Sequence, residues 1–331
     1  MAAGGFKEFV AGEVLDEDEI NDYLMQGILV FAGTAARGSA ITAPVEGQFS
    51  YLSDTNAVQF YNGTAWTPLD TSLPAFEYLV VGGGGGAGTT GSDPGGGGGG
   101  GGHNAGTAFL ASGTANAFTV TVGAGGAPQG VNLPGTNGNS SQFAFAFYGI
   151  GGGGGGGGES TFGRIGGSGG GGGARDTTPV RAGGSGTIGQ GFAGGNGFGG
   201  GGVADRTSGG GGGASAVGTN AANSLGGNGG AGKASSITGS SVTRAGGGAG
   251  GARSGTPGTA GAGGGGAVNT AGTVNTGGGG GANANGGSGI VILKYKDTIT
   301  LTIGVGLTSS TSTAGGFKVT SFTAGEGTVS F

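Results

Sequence analysis

Eight consecutive glycines, GGGGGGGG, occupy residues 95–102, and the same run returns at residues 151–158. They are the longest of nine runs of three or more glycines between residues 82 and 281. Segments of strand character flank this region, FEYLVV at residues 76–81 before it and IVILKY at residues 290–295 after it. Whether the glycine runs are ordered therefore determines the fold of most of the chain.

Two interpretations of the runs are open at the level of sequence. Glycine loses more conformational freedom on folding than any other residue and has no side chain to bury in return, which favours a disordered linker. A flexible linker, however, is usually rich in both Gly and Ser and joins two domains. Here short segments interrupt the runs, as expected for rods joined by tips: ARDTTPVR at 174–181, VADRT at 203–207 and AVNT at 267–270.

The ordered alternative is a polyproline-II-type glycine helix, with three residues per turn, about 3.1 Å rise per residue and no internal hydrogen bonds. Because glycine has no Cβ, such rods can pack until each N–H bonds a carbonyl on a neighbouring rod, as buried backbone groups require. We predict a mainly β fold with polyglycine-II-type rods, in which a small antiparallel β-sandwich base bears the packed glycine helices.

Alternating apolar residues predict the strands of this base. Besides the two flanking segments, we expect strands at residues 117–122 and 141–148, and a hairpin formed by residues 235–238 and 241–244. In the segment 141–148, period-two alternation places three aromatic residues on one face: Phe143, Phe145 and Phe147.

Composition excludes several classes of site. The chain has 331 residues, 99 of them glycine, with no cysteine and a single histidine, His103. Disulfides, thiolate metal sites and histidine clusters are therefore absent from the sequence. No apolar run approaches the ~20 residues that span a membrane, and residues 1–5 lack the features of a signal peptide. We expect a soluble chain with no metal and no cofactor.

Charge is unevenly distributed along the chain, whose net charge is −5. Residues 1–74 hold ten acidic and two basic side chains, whereas residues 75–296 hold five acidic and nine basic ones. The basic excess of the glycine region either keeps the tips soluble or attracts an anionic partner, such as a charged glycan. It is too sparse for nucleic acid, which requires a dense basic stripe.

Three parts are predicted: an N-terminal attachment module at 1–74, a glycine-rich domain at 75–296 and a C-terminal β segment at 297–331. In the first, DEDE at 16–19 predicts a short helix that begins at Asp16, with Glu19 completing a capping box. Residues 45–69 predict small β hairpins, because Asn62-Gly63 is a strong turn signal. The C-terminal segment predicts strands that pack on the glycine domain or on copies of themselves.

Motifs that resemble catalytic or nucleotide sites carry little weight here. GNGGAGKA at 227–234 is close to a phosphate-binding loop, but Ala234 replaces the hydroxyl that would hold magnesium, and no strand–loop–helix context surrounds it. A serine–histidine pair would depend on His103, which we expect at a tip or turn. Clustered acid pairs are also missing, so we predict that the protein is not an enzyme.

Several motifs resemble those of bacteriophage tail proteins. The glycine-rich region is similar to the glycine-rich domain of phage tail fibres in YLVVGGGGG at 78–86, SSITGSSVT at 235–243 followed by GGG at 246–248, and GGSGIVI at 286–292. The first part resembles the attachment end of phage minor tail proteins in DEINDYLM at 18–25, PVEG at 44–47 and YNGTAW at 61–66. Together these matches cover most of the chain in the same order.

The resemblance implies a virion protein that recognises the host surface through loops at the ends of glycine rods. It implies that residues 1–74 dock on other tail or baseplate proteins, that a host surface glycan or outer-surface protein is bound, and that the protein is a homotrimer. Aromatic and arginine side chains contribute most at interfaces. We therefore expect receptor-binding residues at the tips: Phe162, Arg164, Arg175, Asp176, Arg181, Phe192, Phe198, Asp205, Arg206 and Arg253.

Other functions are compatible with glycine rods. The chain could be a purely structural spacer of the virion tail, whose tips contact nothing. It could also bind ice through flat threonine faces, although the irregular spacing of the runs and the N-terminal module argue against this.

Overall fold

The computed structural model describes residues 28–69, 75–89, 91, 93–109, 117–158, 161–175, 181–199, 202 and 205–331. The chain divides into two compact units, Met1–Leu73 and Pro74–Phe331. It is mainly β with antiparallel sheets, as predicted, and has one helix in the described part. The helix predicted to begin at Asp16 lies outside the described residues.

The first unit contains a four-stranded sheet with the order β1-β2-β3-β4. Its strands are β1 (Leu29–Phe31), β2 (Phe49–Leu52), β3 (Ala57–Tyr61) and β4 (Trp66–Pro68). β1 pairs in parallel with β2, and the later pairs are antiparallel. The predicted hairpins are therefore confirmed. In the turn before β4, Gly63 has a φ of 89°, and Asn62 Oδ1 accepts hydrogen bonds from the N–H groups of Thr64 and Ala65.

Helix α1 (Thr34–Ala40) connects β1 to β2 and was not predicted. It has no acidic residue in its first turn and no side-chain N-cap. Its Arg37 is only 7% exposed, with the guanidinium 4.3 Å from the centre of the Trp66 ring. Arg37 Nη1 also donates to Ser50 Oγ and Gln59 Oε1. Packing on the sheet, rather than helix propensity, stabilises this short helix.

The second unit is built on an antiparallel sheet with the order β6-β5-β12-β15-β7-β8-β9, and β13 and β14 also pair with β15. β9 contacts β5 and β6, so the sheet curls into a nearly closed barrel. Its strands are β5 (Ala75–Val81), β6 (His103–Phe109), β7 (Ala117–Thr121), β8 (Ser141–Phe143), β9 (Phe147–Gly149), β12 (Ile290–Lys296), β13 (Thr302–Ile303), β14 (Leu307–Ala314) and β15 (Phe317–Ser330). A separate hairpin consists of β10 (Lys233–Ser235) and β11 (Val242–Arg244).

Strands β5 and β12 are buried on both faces and pair with each other, Val80 opposite Val291. One face contributes to a core with the aromatic residues of β8 and β15, in which Phe143 and Phe322 are fully buried. The other face, including Leu79, packs against alanines and Ile237 of the glycine-rich region. These strands supply the apolar burial that the glycine runs cannot.

The prediction of one strand over residues 141–148 is wrong, because the chain reverses there. Ala144 has a φ of 53°, and β8 and β9 form a tight antiparallel hairpin around it. Phe143 and Phe147 therefore lie opposite each other, with ring centroids 6.1 Å apart, while Phe145 is 83% exposed at the turn. Only two of the three expected aromatic residues face the core.

The glycine runs are ordered rods that bond to one another through their backbones, and the linker interpretation is wrong for the described residues. The rod at 95–102 donates its N–H groups to three neighbours in a period of three. Positions 96, 99 and 102 bond a rod at 150–156, positions 97 and 100 a rod at 209–212, and positions 98 and 101 a rod at 277–280. The acceptors are Gly156, Gly153 and Ile150, then Gly209 and Gly212, then Gly280 and Gly277.

The carbonyl groups of the same rod accept hydrogen bonds from three further rods. Donors at 82–88 bond positions 96, 99 and 102, donors at 168–171 bond positions 97 and 100, and donors at 248–251 bond positions 95 and 98. Each rod of this kind can therefore be surrounded by six others, with its N–H and C=O groups paired as buried backbone requires. A Cβ on Gly98 would overlap the carbonyl oxygen of Gly85, which explains why glycine is needed there.

Candidate functional site

The predicted receptor-binding residues lie at several places on the second unit. Phe162 is 57% exposed, Phe192 is 46% exposed and Arg164 is also exposed. Others are half-buried: Arg175, Arg181, Phe198 and Asp205. Asp176 lies outside the described residues. The structure therefore does not bring the predicted set together into one site.

Phe162 and Arg181 form a local pair. The Arg181 guanidinium lies 5.5 Å from the centre of the Phe162 ring, within the range of a cation–π interaction. Both residues flank rods that bond directly, since Gly163 donates to the carbonyl of Ala182. This pair presents an aromatic ring and a positive charge side by side.

Arg206 is half-buried and Arg253 is exposed, and one buried carboxylate contacts both of them. Both donate through Nη1 to Asp93 Oδ1, at 2.6 Å and 3.1 Å, and the Asp93 side chain is only 2% exposed. Arg206 thus reaches a carboxylate 113 residues away in the sequence, just before the rod at 95–102. This cluster ties together three segments that are distant in sequence.

An apolar cleft of about 780 Å³ opens on the surface of the second unit. It is lined by the apolar side chains of Ile188, Phe192, Ala193, Ala214 and Val217. Ile188 is 99% exposed and Val217 is 56% exposed. Ser185 and Ser215 also line it, and Lys233 is the one charged residue among the described residues that do so. We call this feature the apolar cleft.

A second, smaller cavity of about 340 Å³ adjoins the apolar cleft, because Ser185 and Gly186 line both. It includes Ile165, which is 70% exposed, and Thr187, whose hydroxyl donates to the carbonyl of Gly166. The two cavities make a continuous surface of exposed apolar residues.

Most of this surface was not predicted from the sequence. Of the residues that line the apolar cleft, only Phe192 was predicted. Ile188 and Val217 stand alone beside glycine, in TIG at 187–189 and AVG at 216–218. The signal that could have found them is a large apolar residue among glycines, which has no apolar neighbours with which to form a buried strand. Several such residues exposed side by side form an apolar patch, and a large patch of this kind marks an interaction site.

Lys233 lines the apolar cleft, and two further basic residues, Arg244 and His103, lie close to Lys233. Lys233 and Arg244 are register partners across the hairpin of β10 and β11. His103 donates its backbone N–H to the carbonyl of Gln190, between two glycines that line the cleft. Burial lowers the pKa of His103 to about 4, and the positive charges of Lys233 and Arg244 contribute in the same direction.

His103 is buried rather than at a tip, which corrects the expectation from sequence. It is 2% exposed because the rod at 95–102 leads directly into β6, whose first residue it is. Neither ring nitrogen has a hydrogen-bond partner among the described residues. A hydroxyl positioned to form a catalytic pair is therefore not found beside it in the described part of the chain.

The segment that resembles a phosphate-binding loop belongs to the lattice of rods. The N–H groups of Gly227, Gly229, Gly230 and Gly232 donate to carbonyls of other rods. They are not directed at a ligand, and Lys233 begins strand β10.

Among the described residues, no group of three or more His, Cys, Asp or Glu side chains is arranged to hold a metal ion. The part of the chain that the structure describes also has no helix with the length and apolar character to cross a membrane.

Residues 60–296 match the family described as "Glycine-rich domain". The chain belongs to this family. The match covers the strand before the glycine runs, the lattice of rods and the strand after it, so the glycine-rich domain includes both cavities. No curated protein and no solved structure matches the chain.

Proposed function

We propose that the chain is a tail-fibre or tail-tip adhesin of a bacteriophage, which attaches the virion to the host surface by non-covalent binding. The order of sequence motifs supports this, because segments similar to a tail-attachment module precede the glycine-rich domain. In this proposal residues 1–74 dock on other tail or baseplate proteins. The adhesin is part of the virion and assembles as a homotrimer.

The observation that carries the proposal is the exposure of large apolar side chains on tips that a bonded lattice holds in place. Ile188, Phe162 and Phe192 are 99%, 57% and 46% exposed. Water-exposed apolar groups cost free energy, and contiguous ones mark binding surfaces. A lattice with its backbone groups paired limits the entropy lost when such tips bind a partner.

Cell binding by the purified chain tests the proposal. Fluorescently labelled protein should bind the surface of at least one strain in a panel of bacteria, and the binding should saturate. The double variant Phe162→Ser/Phe192→Ser should bind at least about tenfold more weakly, since exposed apolar anchors dominate interfaces. Val274→Ser is the matched control, because Val274 is 67% exposed on a different tip.

Two outcomes would contradict the proposal. One is the absence of binding to any strain at micromolar concentrations by protein whose circular dichroism shows that it is folded. The other is unchanged cell binding after all the predicted tip residues are replaced together, which would place the binding surface away from these tips.

A further inference from the structure

The apolar cleft has the properties of a ligand site rather than of a gap between rods. Its volume of about 780 Å³ is within the range of small-molecule sites, which are mostly apolar with a few placed polar groups. Ile188, Phe192 and Val217 line it with branched and aromatic side chains that are exposed to solvent. Burying these side chains against an apolar ligand would be favourable.

One end of the apolar cleft carries positive charge that no carboxylate of the described residues compensates. Lys233 lines the cleft and lies directly opposite Arg244 in the antiparallel hairpin, so both side chains are on the same face. Neither forms a salt bridge with a described acidic residue. Like charges placed opposite each other are destabilising. An anion at this position would relieve that repulsion.

Arg244 adds a second observation that points to an anion. It is only 7% exposed, and its Nη1 is buried with no hydrogen-bond partner among the described residues. Buried donors on a charged group are normally paired. Burial also lowers the pKa of Arg244, because it disfavours the charged guanidinium.

We propose that the apolar cleft binds an acyl chain with an anionic head group, the chain along Ile188, Phe192 and Val217 and the head group at Lys233 and Arg244. This assigns a ligand class to the proposed adhesin surface and rests on that function for its biological role. A bare saccharide fits less well, because its hydroxyls would lose water and find few polar side chains.

A peptide ligand also fits less well, because it would have to satisfy its own backbone groups. At the cleft, the N–H of Phe192 already donates to the carbonyl of Gly213, and that of Ser215 to the carbonyl of Ala231. An aliphatic chain has no such groups to satisfy. The anionic surface lipid of a bacterium is therefore the source that the cleft fits best.

Calorimetric titration of the full chain with decanoate, below its micelle concentration, tests the site. Decanoate should bind at one saturable site, and decyltrimethylammonium, with the same chain and the opposite charge, at least about tenfold more weakly. Lys233→Gln should weaken decanoate binding about tenfold, and Val217→Asp should abolish it. The exposed Lys296→Gln and Val274→Ser are matched controls and should bind like the unmodified protein.

Each contrary result overturns the inference in a defined way. Equal binding of both amphiphiles, or no effect of Lys233→Gln, would remove the anionic requirement. Tighter binding of a uronic-acid disaccharide or an acidic apolar peptide than of decanoate would assign the cleft to a glycan or a protein. If decanoate does not bind while the labelled protein still binds cells, the proposed ligand class is wrong and the adhesin proposal is retained. If decanoate binds but the protein binds no cells, the ligand class is retained and the adhesin proposal is wrong.

Discussion

Asp93 and Arg206 are joined by a 2.6 Å contact between Oδ1 and Nη1, with the Asp93 side chain 2% exposed and that of Arg206 13% exposed. Arg253 donates to the same oxygen. The buried carboxylate thus holds two cationic side chains from other parts of the chain, of which that of Arg206 is largely buried and that of Arg253 is one-third exposed.

Removal of this carboxylate should be costly. Asp93→Asn leaves two guanidinium groups facing a neutral amide, and breaking a buried pair from one side typically costs about 3–5 kcal/mol. We expect the free energy of unfolding in urea to fall by about that amount. Glu77→Gln is the control: its pair with Lys294 is exposed, and such pairs contribute about 0–1 kcal/mol. Similar losses in both variants would contradict the assignment of Asp93.

Alanine at a central position of a rod should disrupt the lattice. The added Cβ at Gly98 would overlap the carbonyl of Gly85, and overpacking of this kind costs about 1–3 kcal/mol or more. We expect Gly98→Ala to lower the thermal midpoint measured by calorimetry. At Gly130 the nearest atom to an added Cβ is Leu133 Cδ1 at 3.6 Å, so Gly130→Ala should melt like the unmodified protein. Equal midpoints for all three proteins would exclude close rod packing.

Amide exchange should show the rods directly. The N–H groups of positions 96–102 all bond carbonyls of other rods. We expect them to exchange orders of magnitude more slowly than an unstructured peptide, at rates close to those of β5 and β12, because opening them requires cooperative loss of several rods. Mass spectrometry or NMR of deuterium uptake measures this. Fast exchange in the rods together with slow exchange in the strands would show that the glycines are not held.

The hairpin of β8 and β9 predicts opposite outcomes for two neighbouring aromatic residues. Phe143 is fully buried, so Phe143→Ala should cost about 3–5 kcal/mol of unfolding free energy. Phe145 is 83% exposed, so Phe145→Ala should change it by about 0.5 kcal/mol or less. Urea denaturation of the two variants measures the difference. Comparable losses of unfolding free energy in the two variants would contradict the hairpin and support the continuous strand predicted over residues 141–148.

Stability should depend on pH through His103. Its pKa is about 4 in the folded protein, chiefly because of burial, against about 6.5 when unfolded. The unfolded chain therefore binds the extra proton between these values. The free energy of unfolding is therefore highest above about pH 6.5, and it falls by about 3 kcal/mol in all as the pH is lowered towards 4.

Comparison of the unmodified protein with His103→Gln at pH 7.5 and 4.5 isolates this effect from the titration of carboxylates. The groups that face His103 from the hairpin are Lys233 and Arg244, whose positive charges lower its pKa. Between the two pH values, the free energy of unfolding should fall by about 2–3 kcal/mol more in the unmodified protein than in the variant. Parallel losses would show that His103 is not the titrating group.

Local patterns predicted much of the fold. The segments at 76–81 and 290–295 were expected to be strands because they are continuously apolar, and β5 and β12 are indeed buried on both faces. Asn62-Gly63 correctly marked a hairpin. The reversal at Ala144 was missed because it depends on a positive φ in a residue that rarely adopts one, whereas the phenylalanine spacing favoured a straight strand.

The candidate site was much less predictable. Arginine and phenylalanine were expected at tips from their general behaviour at interfaces, but sequence does not reveal which tips meet. The contact of Asp93 with Arg206 and Arg253 depends on how the rods are ordered in the lattice. So does the apolar cleft, where Ile188, Val217 and Lys233 come from three separate segments. Because the rods consist largely of glycine, their sequences do not show which rods will be neighbours in the lattice.

The six-fold bonding of the rod at 95–102 also has a mechanical consequence. Its hydrogen bonds run sideways to other rods, so a force along the rod must shear many of them at the same time rather than break them one after another. Load applied at one tip is passed to neighbouring rods and then to the paired strands β5 and β12. Glycine makes a single chain flexible, but in this lattice it produces a domain that resists mechanical unfolding.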